Sequence, residues 1–493
     1  MSKKLSRREF IKYGVAAGAA MGVAQFPVEF VHAAEFVGNL PRTQSFDVVV
    51  VGTGIAGMTA AVTAAENGAK VALLEKQQQA LAGGDSALAL GTIAIPEADT
   101  PEAKDLYYQE FLKKGAGRPD KALTRMLADN VLKEVDWLVG LGAQLMEPKP
   151  MPPYRLMGRT AAPGSFRGMP NVLKAMRDAA GKKGVTTFYK TKAKTLLVDR
   201  ASGRVVGVRT ATSDGVTDFR AKAVILATGG YMGDPKMLEQ WIGPNADESI
   251  VRGAKWLTGE GLHMAEEVGA GAVQMGGLDS IHVAAVSPKN PASGQPSVII
   301  PYALGINKLG KRYIDESLGY VAHGKAVIDQ PGAEVAIVFD QALADTPAGK
   351  SVIDQFTYFK LDIVKADSIR ELAERLGFPA DAMIQTVEKF NAAVQGDKAL
   401  GADPPKAACA VRMEKAPFYA LYPLKPGITQ TFGGLKINTR CQVLEPDNTP
   451  IRGLYAAGEV TGGWFSIDYI GGASLARGLV TGRVAGRLAA QEA

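Results

Sequence analysis

Apolar residues in this chain gather in short unbroken runs set between small-residue turns. Val48-Val49-Val50-Val51, Val71-Ala72-Leu73-Leu74 and Ala223-Val224-Ile225-Leu226 are each apolar throughout. Runs of that length predict strands buried on both faces. Between the first two, an Ala-rich stretch carries apolar residues at helical spacing and stops at Asn67-Gly68, a C-cap pair. Residues 100–141 and 171–183 repeat the helical pattern, and 186–208 reads as strand, turn at Ser202-Gly203, strand. Residues 149–168, rich in Pro, Gly and Arg, predict an irregular loop.

Near Gly276 the pattern changes. A Pro-rich loop (288–301), a strand at 335–339 and helices at 367–376 and 380–394 make a separate mixed segment. The earlier style returns with a Gly-Gly pair at 433–434, a strand closing on Gly458-Glu459, and an Ala-rich helix running to about residue 490. The predicted fold class is therefore α/β. A Rossmann-like domain, discontinuous at 46–275 and 430–493, carries an inserted α+β capping domain at 276–429.

The turn between the first strand and helix reads Gly52-Thr53-Gly54-Ile55-Ala56-Gly57. Gly52 permits the tight turn, Gly54 lets a pyrophosphate approach the backbone, and Gly57 lets helix and strand pack closely. The helix start at Ile55 and Ala56 offers free N–H groups and a partial positive charge to phosphates. Glu75, with Lys76 beside it, lies 23 positions after Gly52, where a carboxylate at the end of the second strand accepts from ribose hydroxyls. That order predicts a dinucleotide site, and by itself it leaves FAD and NAD both open. Gly83-Gly84-Asp85-Ser86 follows, a small-residue loop able to approach a flat ring.

The 493 residues carry 46% hydrophobic content, enough for sizeable cores. The net charge of +6 is inflated by the basic stretch at 1–33. Without it, 51 basic residues face 48 acidic ones, and neither nucleic-acid nor anionic-membrane binding is expected. Ser6-Arg7-Arg8-Glu9-Phe10 is a twin-arginine consensus, followed by a short apolar run and Val31-His32-Ala33. A leader over 1–33 is expected, with export to a bacterial periplasm and no stable membrane insertion. Cys409 and Cys441 leave a disulfide and two free thiols both open. There is no CxxCH, CxxC or HExxH, so neither c-type haem nor a metal site is expected.

Together the motifs resemble the family of FAD-dependent fumarate reductases and 3-ketosteroid dehydrogenases. The resemblance rests on Gly52–Gly57, on Ala227-Thr228-Gly229-Gly230, on Asn307 to Glu316 (NxxGxRFxxE in the family) and on Gly453-Leu-Tyr-Ala-Ala-Gly458-Glu459 with Gly462-Gly463. It implies FAD as cofactor, with Glu75 on the adenosine ribose, Glu459 on the flavin side, and backbone at Ser474-Leu475 on the flavin pyrimidine. The helix after Gly472 would direct its positive end at the flavin C2 carbonyl. Covalent attachment in relatives uses a histidine near the Gly83-Gly84 loop; none occurs between His32 and His263, so FAD is expected to be non-covalent.

Three departures redirect the substrate. Where fumarate reductases carry a proton-donating arginine, a carboxylate-clamping arginine and a dicarboxylate-binding histidine, this chain has Tyr320, Tyr469 and Gln430. Bidentate carboxylate clamps are thereby lost, and a dicarboxylate becomes a poor fit. Ketosteroid dehydrogenases are similar at both tyrosines, matching Glu316-Ser317-Leu-Gly-Tyr320 and Tyr469-Ile-Gly471. Tyr320, Tyr469 and His282 are the candidate catalytic residues. Around His282 the family's Gln-x-His-Pro-Thr has become Ser280-Ile-His-Val-Ala, which leaves a purely structural histidine as the alternative.

The expected activity is exchange of a C=C and a CH–CH bond next to a carbonyl, on an enone or ketosteroid-like substrate, in either direction. A reductase of an unsaturated monocarboxylate such as an aryl acrylate is the second reading, and a flavin electron-transfer protein without turnover is the third. Electrons would come from an external carrier such as a c-type cytochrome.

Overall fold

Four valines form the middle of a six-stranded sheet. Val48–Val51 lies between Ala223–Leu226 and Val71–Leu74, parallel to both, with Val48 opposite Ala223 and Val71. All twelve residues of these strands are buried, and each fully buried valine or leucine contributes roughly 1.5–3 kcal/mol. Thr186–Phe188 and Pro450–Ala456 add parallel neighbours, and Gln442–Leu444 closes one edge antiparallel. The computed structural model describes residues 41–151, 154–162, 168–213, 215–276, 280–285 and 294–492. The expected leader lies outside them.

Helices Ile55–Glu66 and Ala473–Gln491 pack on this sheet and against each other. Gly478, Gly482 and Gly486 recur every fourth residue of the last helix, so they share one face. A Cβ on Gly482 would stand 2.6 Å from the carbonyl oxygen of Ala56, and one on Gly486 2.4 Å from that of Ala60. Only bare glycine backbone permits so close an approach. A second sheet, Arg42–Ser45, Gly215–Arg220, Val205–Thr212 and Lys192–Val198, packs against Ala223–Leu226 and Pro450–Ala456.

The stretch expected as an irregular loop contains two short strands. Lys149–Pro150 and Met157–Thr160 pair with each other, and the latter pairs with Thr92–Ile95. That partner is remote in sequence, with two long helices between, so local composition carried no sign of it.

Beyond residue 276 the chain builds a different sheet around one long strand, Phe418–Gln430. Val335–Asp340, Ile363–Ala366 and Ser280–Ala285 pair with it antiparallel, and Ile250–Val251 parallel. Its first half supplies Phe418, Ala420, Leu421 and Leu424 to two smaller apolar cores; Ile428, near its end, belongs to the core of the first sheet. Helix Ile369–Leu376 starts where Ser368 Oγ accepts from Glu371 N at 3.1 Å, with Glu371 reaching back to Asp367 N, and stops at Gly377, φ +73°.

The NxxGxRFxxE counterpart proves to be a buried charge network. Glu316, fully buried, accepts from Arg312 Nε (2.9 Å) and Nη2 (2.7 Å) and from Gly305 N (3.0 Å), with Lys406 at 3.4 Å. Burial alone would raise the Glu316 pKa; Arg312 and Lys406 hold it below its ordinary value. Cys409 and Cys441 are free thiols, and burial pushes Cys441 up to about 12. Among the described residues no helix is long and apolar enough to cross a membrane.

Candidate active site

The glycine turn is built as its spacing requires. Gly52 has φ +107°, and a Cβ there would stand 2.2 Å from the Ala227 carbonyl oxygen. A Cβ on Gly57 would meet Gly52 O at 1.9 Å, so Gly57 serves packing. Ile55 N donates to Ser86 Oγ at 3.0 Å, which ties the Gly84-Asp85-Ser86 loop to the start of the helix. Glu75, 6% exposed, accepts from the Thr53 hydroxyl and from Gln77 N (2.7 Å), while Gly83 N donates to Thr53 Oγ1 (3.0 Å). The acid thus holds the turn and the loop together.

Beside it, Lys76 pairs with Glu260 at 2.7 Å and Lys192 with the same carboxylate at 3.0 Å. Burial opposes ionisation of Glu260, but the two ammonium groups outweigh it and hold its pKa at about 2. Burial lowers the Lys76 pKa, and Glu260 offsets part of that.

Further along, Arg477 is buried and Asp85 and Glu459 are half-buried, and the first two have bonding capacity to spare. Asp85 Oδ1 accepts from Ala254 N at 2.6 Å, whereas Oδ2 has no partner. Burial, and then the charge of Glu459, push the Asp85 pKa well up. Glu459 is raised by burial against the opposing pull of Thr431, whose N and Oγ1 donate at 2.9 and 3.2 Å, and of Arg477. A Cβ on Gly230 would stand 2.5 Å from Glu459 Oε1, so the Ala-Thr-Gly-Gly strand end needs its second glycine here. Arg477, 1% exposed, lies over the Phe465 ring at 5.0 Å, and its Nε and Nη1 have no partner. Burial lowers its pKa to about 10, so it remains charged at neutral pH.

At the far end, Gly472 (φ +84°) opens the last helix against Thr92, whose carbonyl oxygen a Cβ would meet at 2.8 Å. Gln430 Oε1 accepts from the Ser474 hydroxyl. Tyr469 packs edge-on against Phe432 (5.7 Å) and Phe465 (5.8 Å). Arg252 Nη1 donates to Gln295 Oε1 at 3.1 Å, its stem crossing Gly427.

One cavity of about 550 Å³ joins these parts. Gly52, Gly54, Ile55, Ala56, Glu75, Lys76, Gly84, Asp85, Ser86, Gly229, Gly458, Glu459, Ser474, Leu475 and Tyr469 all line it. Tyr320 is placed by its backbone as the first residue of helix Tyr320–Ile328, after Gly319 at φ +90°. His282 sits opposite Gly427 on the long strand. Their side chains are outside the described part of the structure. Arg252, Arg477 and Glu260 also line the cavity and were missed. Glu260 follows Gly259 at a helix start, a weak signal; the two arginines carried none.

The residues fit FAD. A glycine turn lining the cavity at Gly52 and Gly54, next to the start of helix Ile55–Glu66, suits a pyrophosphate. Unpartnered Asp85 Oδ2, Thr228 Oγ1, Arg477 Nε and Nη1 suit a ligand dense in hydroxyls, carbonyls and phosphates. Residues 47–475 match the family described as FAD binding domain, and the chain belongs to that family. NADH:fumarate oxidoreductase of Klebsiella pneumoniae (strain 342) is 32% identical over 472 residues, which are 94% of this chain and 49% of that protein. The chain thus spans about half the length of that relative. Among solved structures, the open conformation of a flavocytochrome c3 fumarate reductase is 28% identical with a TM-score of 0.77, over 100% of this chain and 83% of that one. A 3-ketosteroid-Δ4-(5α)-dehydrogenase from Rhodococcus jostii RHA1, bound to 4-androstene-3,17-dione, is 26% identical with a TM-score of 0.69, over 93% and 99%.

Proposed function

We propose that the chain is a periplasmic reductase of a carbon–carbon double bond conjugated to a carbonyl, with an enone or ketosteroid-like substrate. The observation that carries this reading is the uncharged pair Tyr469 and Gln430 on the cavity wall beside Ser474 and Leu475. A dicarboxylate would need cations there. An ordinary phenol titrates near pH 10 and is a neutral donor at pH 7. It polarises a ketone oxygen without the desolvation cost of a buried cation.

FAD, when bound, supplies the two-electron exchange with one carbon of the bond. Glu75 holds the ribose end, Gly52 to Ala56 the pyrophosphate, Glu459 the flavin side and Ser474-Leu475 the pyrimidine. Tyr469 donates to the substrate carbonyl oxygen, and Tyr320 moves the proton at the carbon next to it. Residues 46–275 and 430–493 form the FAD-binding domain in this reading, and 276–429 the cap. The twin-arginine leader supports export, and a separate carrier such as a c-type cytochrome delivers the electrons.

The test is anaerobic. Dithionite-reduced protein is mixed with enones, cinnamates and fumarate, and flavin reoxidation is followed optically. Enones are expected to reoxidise it fastest and fumarate poorly. Tyr320→Phe should slow turnover on the order of 100- to 10,000-fold, and Tyr469→Phe by up to about 1,000-fold, with FAD retained in both. Robust fumarate reduction, or a near-normal Tyr320→Phe rate, would sink the reading. Arg252 favours a second one, a reductase of an unsaturated monocarboxylate, since its guanidinium on the cavity wall suits one carboxylate. Cinnamates outpacing enones, with that preference lost in Arg252→Gln, would select it.

A further inference from the structure

We infer that Arg477 is a cofactor-binding residue, its Nε–H and Nη1–H edge donating to acceptor oxygens or nitrogens of FAD. This rests on the FAD cradle alone and is independent of which substrate the enzyme takes. The guanidinium is 1% exposed, lines the cavity, and leaves both nitrogens without a partner. One of its faces is covered by Phe465 at 5.0 Å. The carboxylate nearest in charge terms, Glu459, takes Thr431 N and Oγ1 on its Oε1 and does not meet the open Arg477 Nε or Nη1. A buried cation with open donors is costly unless something accepts from them.

Local placement points to the ligand. Arg477 lies between Ser474-Leu475, at the start of the same helix, and Gly478, whose Cβ would touch Ile55 Cγ2 at 2.7 Å. It therefore sits between the helix start that faces phosphates and the residues assigned to the flavin ring. The glycine and alanine side chains there bring no acceptor, and no backbone carbonyl bonds Nε or Nη1. FAD is rich in acceptors along that whole length.

The test uses the holoprotein and two variants, Arg477→Gln and Arg477→Lys. FAD dissociation constants are measured for the oxidised and the dithionite-reduced protein, with the flavin midpoint potential and the thermal unfolding midpoints of holo and apo forms. In Arg477→Gln the FAD dissociation constant is expected to rise about ten- to a hundred-fold, with partial recovery in Arg477→Lys. The apo form should keep or raise its unfolding midpoint, because an unsatisfied buried charge has gone, whereas the holo form should lose stability. A purely structural arginine would lower both. If oxidised and reduced FAD weaken equally, the acceptors lie on the phosphates or ribityl chain. If reduced FAD weakens more, so that the midpoint potential falls, they lie on the ring. Unchanged FAD affinity in both redox states, or equal destabilisation of apo and holo forms, overturns the assignment.

Discussion

Near the sheet built on Phe418–Gln430, the Glu316 carboxylate takes two bonds from Arg312 and one from Gly305 N, with Lys406 3.4 Å away. In the cavity, Arg477 is buried as deeply and Asp85 and Glu459 are half-buried, yet Asp85 Oδ2 and Arg477 Nε and Nη1 bond to nothing. Both regions draw ionisable groups away from water, where an unmet valence is expensive. The Glu316 network closes on itself and gains a fixed geometry. The cavity leaves valences open and gains a ligand. Among the described residues His323 is the loose end beside the Glu316 network: its Nδ1 meets Tyr313 Oη at 3.0 Å, while Nε2 has no partner.

Glu316→Gln should break the closed-network side of this comparison most severely. Arg312 and Lys406 would be left as buried cations without their counter-charge, at a cost of about 3–5 kcal/mol. Urea unfolding measures it, and a loss under about 1 kcal/mol would mean the network is not structural. Arg477→Gln, by contrast, should spare the apo fold.

His323 sharpens the same contrast through pH. Burial, with Lys406 and Arg312 adding to it against the pull of Glu316, lowers its pKa from 6.5 to about 4. A depressed folded pKa means that the unfolded chain binds the proton first as pH falls. The stability is complete above about pH 6.5, is lost progressively down to about pH 4, and does not change further below that. The span corresponds to about 3 kcal/mol at 1.36 kcal/mol per unit. His323→Gln should remove this acid limb from a series of unfolding curves; an unchanged limb would assign it to other groups.

On the cavity side, Glu75→Ala removes an acid that bonds Thr53 and Gln77 as well as facing the ligand. It should weaken FAD binding by about 1.5–3 kcal/mol, read by fluorescence of released flavin, and unchanged affinity would remove Glu75 from the ribose. The smallest effect belongs to Gly482→Ala. Alanine gains up to about 1 kcal/mol in helix propensity, but its Cβ meets the Ala56 backbone at 2.6 Å, so a net loss of about 1 kcal/mol is expected. Gly181→Ala, where a Cβ meets open space, should instead stabilise, and thermal unfolding of the two variants compares them directly.

What could be read from the sequence was local. The glycine turn, its helix and Glu75 follow one another in a single short stretch and constrain one another, so spacing alone placed them on one wall. The strand and acid at Gly453 to Glu459 were legible for the same reason. Arg477 and Arg252 were not, because a lone arginine in a helix or loop reads as a solvated charge until the fold buries it. Thr92–Ile95 meets Met157–Thr160, and Glu316 meets Lys406 from a distant part of the chain; no periodicity records such pairings. The Gly478, Gly482, Gly486 face was not read either, because the helix it packs against, Ile55–Glu66, lies hundreds of residues earlier in the sequence.

That last pairing sets a clock on the protein's birth. Helix Ile55–Glu66 leaves the ribosome with its packing face uncovered, and the helix that covers it begins only at Ala473. At roughly 5–20 residues per second, the two are made about 20–80 s apart. Through that interval the glycine turn exists, but the helix bearing Ser474, Leu475 and Arg477 does not. If Ser474, Leu475 and Arg477 hold FAD as proposed, stable capture waits for that helix, and a chain stopped short of Ala473 is expected to emerge colourless however well its first strands had paired.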